Sequence, residues 1–303
     1  MATTGIPTAT VTPAPTRRVG WRGSSVRYWI GNWKLSLGLA LLLGLLLFSF
    51  IGRFFVDYSQ TEVVSAPFKQ PPSAAYPLGT DNAGRNIFAL MVYGIPPTLQ
   101  IGLIAGFVGT VVGTALGLIS GYYRGFWDTV IRSAADITLT IPALLILVVV
   151  ASYFRTTTIT VTGLIIGVFA WAGPTRAIRA QTLTLRERAF VRVAKISGQR
   201  DMQIIVREIL PNLLPYIAAG LVGSVLGGIG AAVGIQLLGL GPLFTPNLGM
   251  MLQYAFTGSA LYQGMWWWWG PPSLALVILF ISLFLISLAL DEVANPRLRV
   301  RVE

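Results

Sequence analysis

The chain has 303 residues, of which 54% are hydrophobic and only 11% are charged. Soluble proteins carry about a quarter charged residues, so this composition is typical of a protein that lies in a lipid bilayer. Histidine and cysteine do not occur, which excludes disulfides, thiolate nucleophiles, imidazole bases and the usual zinc and haem ligands. We therefore predict no catalytic residue, no metal site and no cofactor bound by the chain.

The formal net charge of +11 comes from basic residues that cluster beside the apolar stretches. A nucleic-acid-binding protein would instead gather them in one soluble basic domain. Membrane topology explains the charge better, because lysine and arginine are enriched on the cytoplasmic side of a membrane. We expect contact with membrane lipid and no nucleic-acid partner.

Residues 1–34 are rich in Thr, Pro, Ala and Arg and lack helical periodicity, so they predict a largely disordered tail. No short apolar core with a cleavage site follows these arginines, which argues against a secretory signal. Residues 35–55 form the first predicted span, since about 20 apolar residues cross a bilayer of roughly 30 Å. Arginines and Lys34 precede this span and predict a cytoplasmic N-terminus.

Residues 57–96 are predicted to lie outside the membrane, with a short helix near their end. They contain the run Tyr-Pro-Leu-Gly-Thr-Asp-Asn-Ala-Gly-Arg-Asn at residues 76–86. In this run, Thr80 or Asp81 suits the N-cap of a helix that runs toward Met91. We expect the run to fix this outer helix and not to contact a ligand.

The second predicted span, residues 97–122, has glycines at intervals of about four, which predicts a face for close helix packing. The third runs from about residue 128 to 154 and contains Asp136, which is a functional candidate because it is an ionisable residue in a span. Arg132 precedes it by one helical turn and can pair with it. We favour an intramembrane pair of Arg132 with Asp136 over a role in proton or substrate binding.

A polar and basic stretch, residues 176–212, follows the fourth predicted span, which begins at residue 159 and ends near residue 174. Helical spacing within the stretch predicts two short amphipathic helices separated by a turn at Gly198. We expect Asp201 to cap the second helix and Pro211 to end it. The first helix has an apolar face of Phe190, Val193, Ala194 and Ser197 opposite Arg188, Arg192, Lys195 and Gln199, and the second has a face of Met202, Ile205, Val206 and Ile209.

The fifth predicted span, residues 213–238, is rich in glycine and alanine, as suits a tightly packed helix. The uncharged residues 239–272 contain an aromatic cluster at the predicted outer surface, namely Trp266, Trp267, Trp268 and Trp269. Anchoring at the membrane interface is the ordinary role of such tryptophans, and contact with a ligand or a delivering protein is the alternative. A sixth span, residues 273–290, returns the C-terminus to the cytoplasm.

The predicted organisation is thus a cytoplasmic tail and a two-part membrane region. The tail covers residues 1–34, and the first span with its outside segment covers residues 35–96. Residues 97–293 form a core of five spans that includes the basic stretch. Residues 294–303 form a cytoplasmic C-terminal tail.

Three segments resemble the membrane permease subunits of bacterial and archaeal ABC importers, specifically the second permease of the peptide and nickel group. The family's cytoplasmic signature is Glu-Ala-Ala, three residues, Gly, nine residues, then Ile-x-Leu-Pro. The run at residues 76–86 resembles the box before the family's second span, and residues 295–299 resemble its Asp-Pro-Arg-Leu-Arg ending. The signature positions hold Arg192 for the acid, Val193 for an alanine and Glu208 for the isoleucine, with Ala194, Gly198, Leu210 and Pro211 matching.

The resemblance implies an all-α integral membrane protein with six transmembrane helices, the type I importer permease fold and a cytoplasmic helix-turn-helix coupling segment. It implies a second homologous permease subunit, two ATPase subunits that bind ATP and Mg, and an extracytoplasmic substrate-binding protein. A short peptide is the expected cargo, with an oligosaccharide or a nickel chelate as alternatives. The residues expected to couple to the ATPase are Arg188, Phe190, Arg192, Val193, Ala194, Lys195, Gly198, Asp201, Ile209, Leu210 and Pro211.

Other interpretations remain open at this point. The basic stretch could be only a positive loop, although such a loop needs neither apolar helical faces nor a glycine at a fixed offset. A stand-alone ion-coupled carrier would carry ionisable residues near the bilayer midplane, where only Asp136 qualifies. A membrane enzyme is disfavoured by the missing histidine and cysteine. Because the sequence has no Gly-x4-Gly-Lys-Ser/Thr loop, we expect ATP hydrolysis to occur on partner subunits.

Overall fold

A computed structural model of the protein describes residues 32–154 and 158–294. Most of the predicted N-terminal tail and residues 295–299 therefore lie outside the described residues. The described chain is helical and contains no β-strand. Its α-helices are α1 (Trp33–Gly52), α2 (Ile87–Tyr123), α3 (Gly125–Thr140), α4 (Ala143–Ser152), α5 (Ile159–Phe169), α6 (Ala172–Arg186), α7 (Ala189–Ile196), α8 (Asp201–Ile204), α9 (Leu210–Leu237), α10 (Leu248–Thr257) and α11 (Trp266–Ala294).

The described helices confirm an all-α membrane protein. Four helical stretches are long and apolar enough to cross a bilayer, or six if each of two bent pairs counts as one span. The predicted third span is one of these pairs, because α3 and α4 meet at 82°. Pro142 causes the break: its ring disfavours the helical conformation of the preceding residue, and Ile141 is extended, with φ −80° and ψ 129°.

The second bent pair is the predicted fourth span, which continues well past its expected end. Helices α5 and α6 meet at 47°, and α6 extends to Arg186 instead of ending near residue 174. Helix α6 is mostly polar on one side and buries a small set of residues on the other, which include Thr175, Ile178 and Thr182. The basic stretch therefore begins as an extension of a span and not as a separate loop.

Helix α2 is the central element and has 37 residues, which corresponds to about 55 Å at 1.5 Å per residue. It packs against α6 along one part of its length and against α9 along another. A Cβ atom added to Gly106 would lie 2.6 Å from the amide nitrogen of Val225, and one added to Gly117 would lie 2.8 Å from the carbonyl oxygen of Thr175. The glycine face predicted for the second span is thus confirmed as a packing face.

The start of α2 differs from the prediction. Asn86 caps it, because its side chain accepts a hydrogen bond from the amide of Phe88 at 3.0 Å. Neither predicted cap is used. Asp81 closes its own turn and accepts from the Arg85 side chain at 2.6 Å and the Arg85 amide at 2.9 Å, and the Thr80 hydroxyl donates to the carbonyl of Pro67 at 2.6 Å. The expected short helix is therefore the first part of α2 itself.

Helix α2 continues through Pro96 and Pro97, although a proline cannot donate to the carbonyl one turn before it. For Pro96 that carbonyl belongs to Val92. Ser49 of α1 supplies the missing hydrogen bond, because its hydroxyl donates to the Val92 oxygen at 2.5 Å. A side chain of the first span thus compensates for the proline in the second.

The buried apolar residues form separate cores at the two ends of α2. One core lies at the N-terminal end of α2 and joins it to α9, α10 and α11, with Ile87, Ile229 and Trp268 almost fully buried. The other lies at the C-terminal end and joins α2 and α6 to residues 191–213. Lys34 at the start of α1 forms an ion pair with Glu292 near the end of α11, so the first and last described helices are tied together.

Candidate functional site

The candidate site is the basic segment, defined as residues 188–211, which joins α6 to α9. Its inner side is a buried apolar surface. Val191 and Ala194 of α7 and Ile204 of α8 are at most 5% exposed. These three residues form one buried core with residues of α2, α6 and the start of the helical stretch that continues into α9. The other members are Leu118, Tyr122, Ile178, Ile205, Ile209 and Leu213.

A glycine turn separates the two helices of the basic segment, as the sequence predicts. Gly198 has a φ of +76°, a conformation that costs little only for glycine. The amides of Gly198 and Gln199 donate to the carbonyls of Lys195 and Ala194 at 3.1 and 3.2 Å, which satisfies the end of α7. No atom lies within 4 Å of a Cβ added at Gly198. The turn therefore requires glycine for its backbone conformation and not for its small size.

The outer side of the basic segment carries large apolar side chains that this chain leaves uncovered. We call these five residues the exposed strip: Phe190, Val193, Ile196, Met202 and Val206. Ile196 is 88% exposed, Val193 is 62% exposed and Met202 is 60% exposed. Five basic side chains of the same segment are also exposed, namely Arg188, Arg192, Lys195, Arg200 and Arg207. Large exposed apolar side chains among charged ones are typical of an interaction surface.

The structure corrects the predicted faces of both helices. Of the four residues predicted for one face of α7, only Ala194 is buried, whereas Phe190, Val193 and Ser197 are exposed. Val191, which was assigned to neither face, packs inward instead. The spacing from Phe190 through Val193 to Ile196 was a signal in the sequence for the exposed strip. Periodicity identifies a stripe but does not say which of two stripes the rest of the protein covers.

The predicted apolar face of the second helix is likewise only partly buried. Ile205 and Ile209 are buried, but Met202 and Val206 of the same predicted face are 60% and 50% exposed. Among the residues expected to couple to an ATPase, Ala194 and Ile209 are buried and Leu210 is half-buried. These three hold the segment in place, and the remaining eight are accessible on its surface.

Two further predictions for the second helix are wrong. Asp201 is not its N-cap: its carboxylate accepts a hydrogen bond from the hydroxyl of Tyr122 at 2.7 Å. Pro211 does not end the helix either, because a π-helical turn over Ile205–Ile209 leads directly into α9. The wider π turn accommodates the proline ring, and residues 201–237 form one continuous helical stretch.

Asp136 pairs with a different arginine from the one predicted. Asp136 accepts from the guanidinium of Arg176 on α6, and not from Arg132. Arg132 lies in the same small cleft between α3 and α6. Asp128 in that region accepts two hydrogen bonds from Arg179, at 2.5 and 2.7 Å. The acidic residues of α3 therefore bind α3 to α6, and nothing in local sequence spacing signals pairs 40 and 51 residues apart.

The tryptophan cluster also divides into an inner and an outer half. Trp268 is 1% exposed and belongs to the core. The indole of Trp267 donates to the carbonyl of Thr80 at 3.4 Å and packs beside Gly79. Only Trp266 and Trp269 are exposed, by 59% and 37%, so two of the four residues predicted for an outer contact are structural.

The described residues thus form a helical membrane protein with two bent pairs of helices and an exposed segment of apolar and basic residues at one end of its central helix. The chain belongs to the family of inner membrane components of binding-protein-dependent transport systems, which matches residues 113–300. The protein is accordingly a permease subunit of an ABC importer.

Several relatives are similar to this chain over most of their length. The oligopeptide transport system permease protein OppC of Lactococcus lactis subsp. lactis is 32% identical over 76% of this chain and 79% of its own length. A putative peptide transport system permease protein of Brucella suis is 30% identical over 87% of this chain and 88% of its own. The glutathione transport system permease protein GsiD of Escherichia coli is 29% identical over 75% of this chain and 74% of its own.

A solved structure shares the fold. A chain of the MetNI methionine ABC transporter, in an inward-facing conformation, superimposes with a TM-score of 0.55 at 22% sequence identity. The match covers 69% of this chain and 97% of that one. The fold expected from the sequence is thereby confirmed.

Proposed function

We propose that this subunit forms half of the translocation pathway of an ATP-driven importer for short peptides. The names of its relatives support peptide cargo, since they refer to oligopeptide, peptide and glutathione transport. A substrate-binding protein delivers the peptide to the outer face, and a second homologous permease completes the pathway. Oligosaccharides and nickel chelates are the alternative cargoes, and competition of each with peptide for uptake would distinguish them.

The chain itself binds no cofactor and catalyses no reaction in this proposal. Two partner ATPase subunits bind ATP and Mg²⁺ and hydrolyse the nucleotide. The basic segment and both termini are cytoplasmic, which the excess of lysine and arginine beside the corresponding spans supports. Residues 53–86, between α1 and α2, then lie on the outer side.

The exposed strip is the observation that carries the coupling role. Large apolar residues such as Ile196, 88% exposed, are costly to leave in water, and a groove on an ATPase subunit would cover them. The exposed basic residues of the segment would contact acidic residues around that groove. Arg192 can replace the family's acid in this arrangement, because the apolar contacts, and not one ion pair, hold the segment on the ATPase.

The attachment of the basic segment makes it suitable for transmitting force. Its inner side is packed on α2 and α6, and its second helix continues without interruption into α9. If closure of the ATPase subunits displaces residues 201–209, α9 would therefore move with them as a rigid body. Such movement between two states, biased by nucleotide, would open the pathway alternately to each side.

Ile196→Asp tests the coupling role. We expect the variant to insert into the membrane normally, because Ile196 contributes nothing to the buried core. Co-purification with the ATPase subunits and peptide uptake should fall at least about tenfold, since a charge would enter an apolar contact. Gln199→Asp, which adds the same charge outside the exposed strip, is the control. Normal assembly and uptake by the Ile196 variant would refute the coupling role.

A further inference from the structure

A cavity of about 430 Å³ lies at the end of α2 opposite the basic segment. It is enclosed by residues 58–63, by Arg85 and the start of α2, and by residues 243–254. The residues that matter for its chemistry are Tyr58, Glu62, Arg85, Phe244 and Tyr254. None of them belongs to the surface proposed to contact the ATPase.

The inner wall of the cavity is built around a buried arginine. Arg85 is 8% exposed, and its Nε donates to the fully buried Asp81 at 2.6 Å. Its guanidinium lies over the ring of Tyr254, 4.2 Å from the centroid. The Tyr254 hydroxyl in turn donates to the carbonyl of Leu243 at 3.3 Å. These contacts fix the wall and neutralise the charge of Arg85 with that of Asp81.

The rim of the cavity carries an unbalanced negative charge. Glu62 is exposed, and within residues 32–154 and 158–292 no lysine or arginine lies within ion-pair distance of its carboxylate. Two exposed aromatic side chains line the same cavity: Tyr58 is 48% exposed and Phe244 is 85% exposed. A cavity whose lining combines a carboxylate with aromatic rings is suited to bind a cation, through ionic and cation–π attraction together.

The rim also favours a protein over a small free cation. Val63 and Phe244 line the cavity and are 64% and 85% exposed, so the opening is bordered by apolar side chains that a small ion would leave in water. Protein interfaces combine such apolar rims with a few inserted anchors, among which arginine is enriched. The volume is sufficient for a long side chain together with its neighbours.

We propose that this cavity receives an arginine or lysine side chain of the substrate-binding protein when that protein docks on the permease. The inference rests on the proposed function, which supplies the docking partner and places residues 58–63 on the outer side. The family itself is defined by dependence on a binding protein. Glu62 provides the charge, Tyr58 and Phe244 provide the aromatic faces, and Arg85 with Asp81 holds the wall.

The test measures the concentration of the cognate binding protein that gives half-maximal ATP hydrolysis by the complete transporter in lipid nanodiscs. Glu62→Lys should raise this concentration about tenfold and Glu62→Gln about threefold, because repulsion adds to the lost attraction. Asp57→Lys is the matched control: it makes the same charge change on an exposed residue outside the cavity lining and should change the value less than about twofold. Equal values for wild type and Glu62→Lys would overturn the inference.

The two hypotheses fail in different ways. If the binding protein does not stimulate the wild-type transporter, the proposed function is wrong. If it stimulates wild type and Glu62→Lys alike, only the cavity assignment is wrong. Glu62 and Asp57 are both exposed, so normal expression and assembly of their variants are expected and can be checked by co-purification.

A cross-linking experiment identifies the occupant directly. The chain has no cysteine, so Glu62→Cys introduces a unique thiol that a maleimide–benzophenone reagent can label. Illumination in the presence of the binding protein should cross-link position 62 to that protein, and Asp57→Cys should react much less. Cross-linking of position 62 only to the second permease, to the peptide or to lipid would overturn the proposal.

Discussion

The hydroxyl of Tyr122 donates a hydrogen bond to the carboxylate of Asp201 at 2.7 Å, across 79 residues of sequence. Tyr122 lies in the last turn of α2, and Asp201 is the first residue of α8. The guanidinium of Arg186, at the end of α6, lies 5.8 Å from the centre of the same tyrosine ring. Three elements therefore meet at the base of the basic segment, and this polar contact supplements the apolar core beneath it.

Removing that hydroxyl tests its contribution. We expect Tyr122→Phe to destabilise the attachment of the basic segment by about 1 kcal/mol, the usual net contribution of one hydrogen bond. Hydrogen exchange of the amides in residues 199–204 should become faster. The control is Tyr123→Phe, because the Tyr123 hydroxyl makes no hydrogen bond within the described residues. If exchange is the same in all three proteins, the Tyr122 contact does not hold the segment.

Truncating a side chain should destabilise the protein much more on the inner side of the basic segment than on the outer side. Ile209 is fully buried and Val206 is 50% exposed. We expect Ile209→Ala to lower the free energy of unfolding by about 3 kcal/mol through the lost apolar contacts and the cavity left behind. Val206→Ala should change it by less than about 0.5 kcal/mol. Thermal unfolding of the purified protein in detergent measures both, and a larger loss at Val206 would contradict the assigned orientation.

Close helix packing predicts a sharp difference between two glycines. A Cβ at Gly106 would lie 2.6 Å from the backbone nitrogen of Val225, whereas one at Gly227 would meet nothing within 4 Å. Gly106→Ala should therefore separate α2 from α9 and destabilise the protein by about 2 kcal/mol. Gly227→Ala should be neutral or slightly stabilising, because alanine favours the helix. Thermal unfolding of each variant is the measurement, and equal effects would argue against the α2–α9 contact.

The two ion pairs between α3 and α6 should differ in strength. The Arg179 and Asp128 side chains are 21% and 16% exposed, whereas those of Arg176 and Asp136 are 64% and 46% exposed. We expect Arg179→Gln to destabilise the protein by about 2 kcal/mol, since it leaves a partly buried carboxylate with fewer donors. Arg176→Gln should cost about 0.5 kcal/mol or less, as is usual for a largely exposed pair.

Exchanging the charges provides a control for the stronger pair. The double variant Asp128→Arg with Arg179→Asp should recover part of the stability lost in either single variant, because the attraction is restored in reverse. Thermal unfolding of the single and double variants gives the interaction energy. If the double variant loses as much stability as the two single variants together, the pair does not couple α3 to α6.

The sequence by itself determined the class of protein, the turn at Gly198 and the family. Apolar stretches long enough to cross a bilayer identify a membrane protein without knowledge of their packing. A glycine at the end of a short helical pattern predicts a left-handed turn, because that preference belongs to the residue itself. The glycines of the second span likewise predicted close packing, although not with which helices.

Only the tertiary structure decided which side of each short helix is covered and which residues pair. Val191 is buried and Val193 exposed because α2 and α6 lie on one side of α7, and both residues are equally apolar in the sequence. Asp136 pairs with Arg176 and not with the nearer Arg132, because folding brings α6 against α3. Ser49 compensates for Pro96 because folding likewise brings α1 against α2. These outcomes depend on contacts between distant segments, which local spacing does not encode.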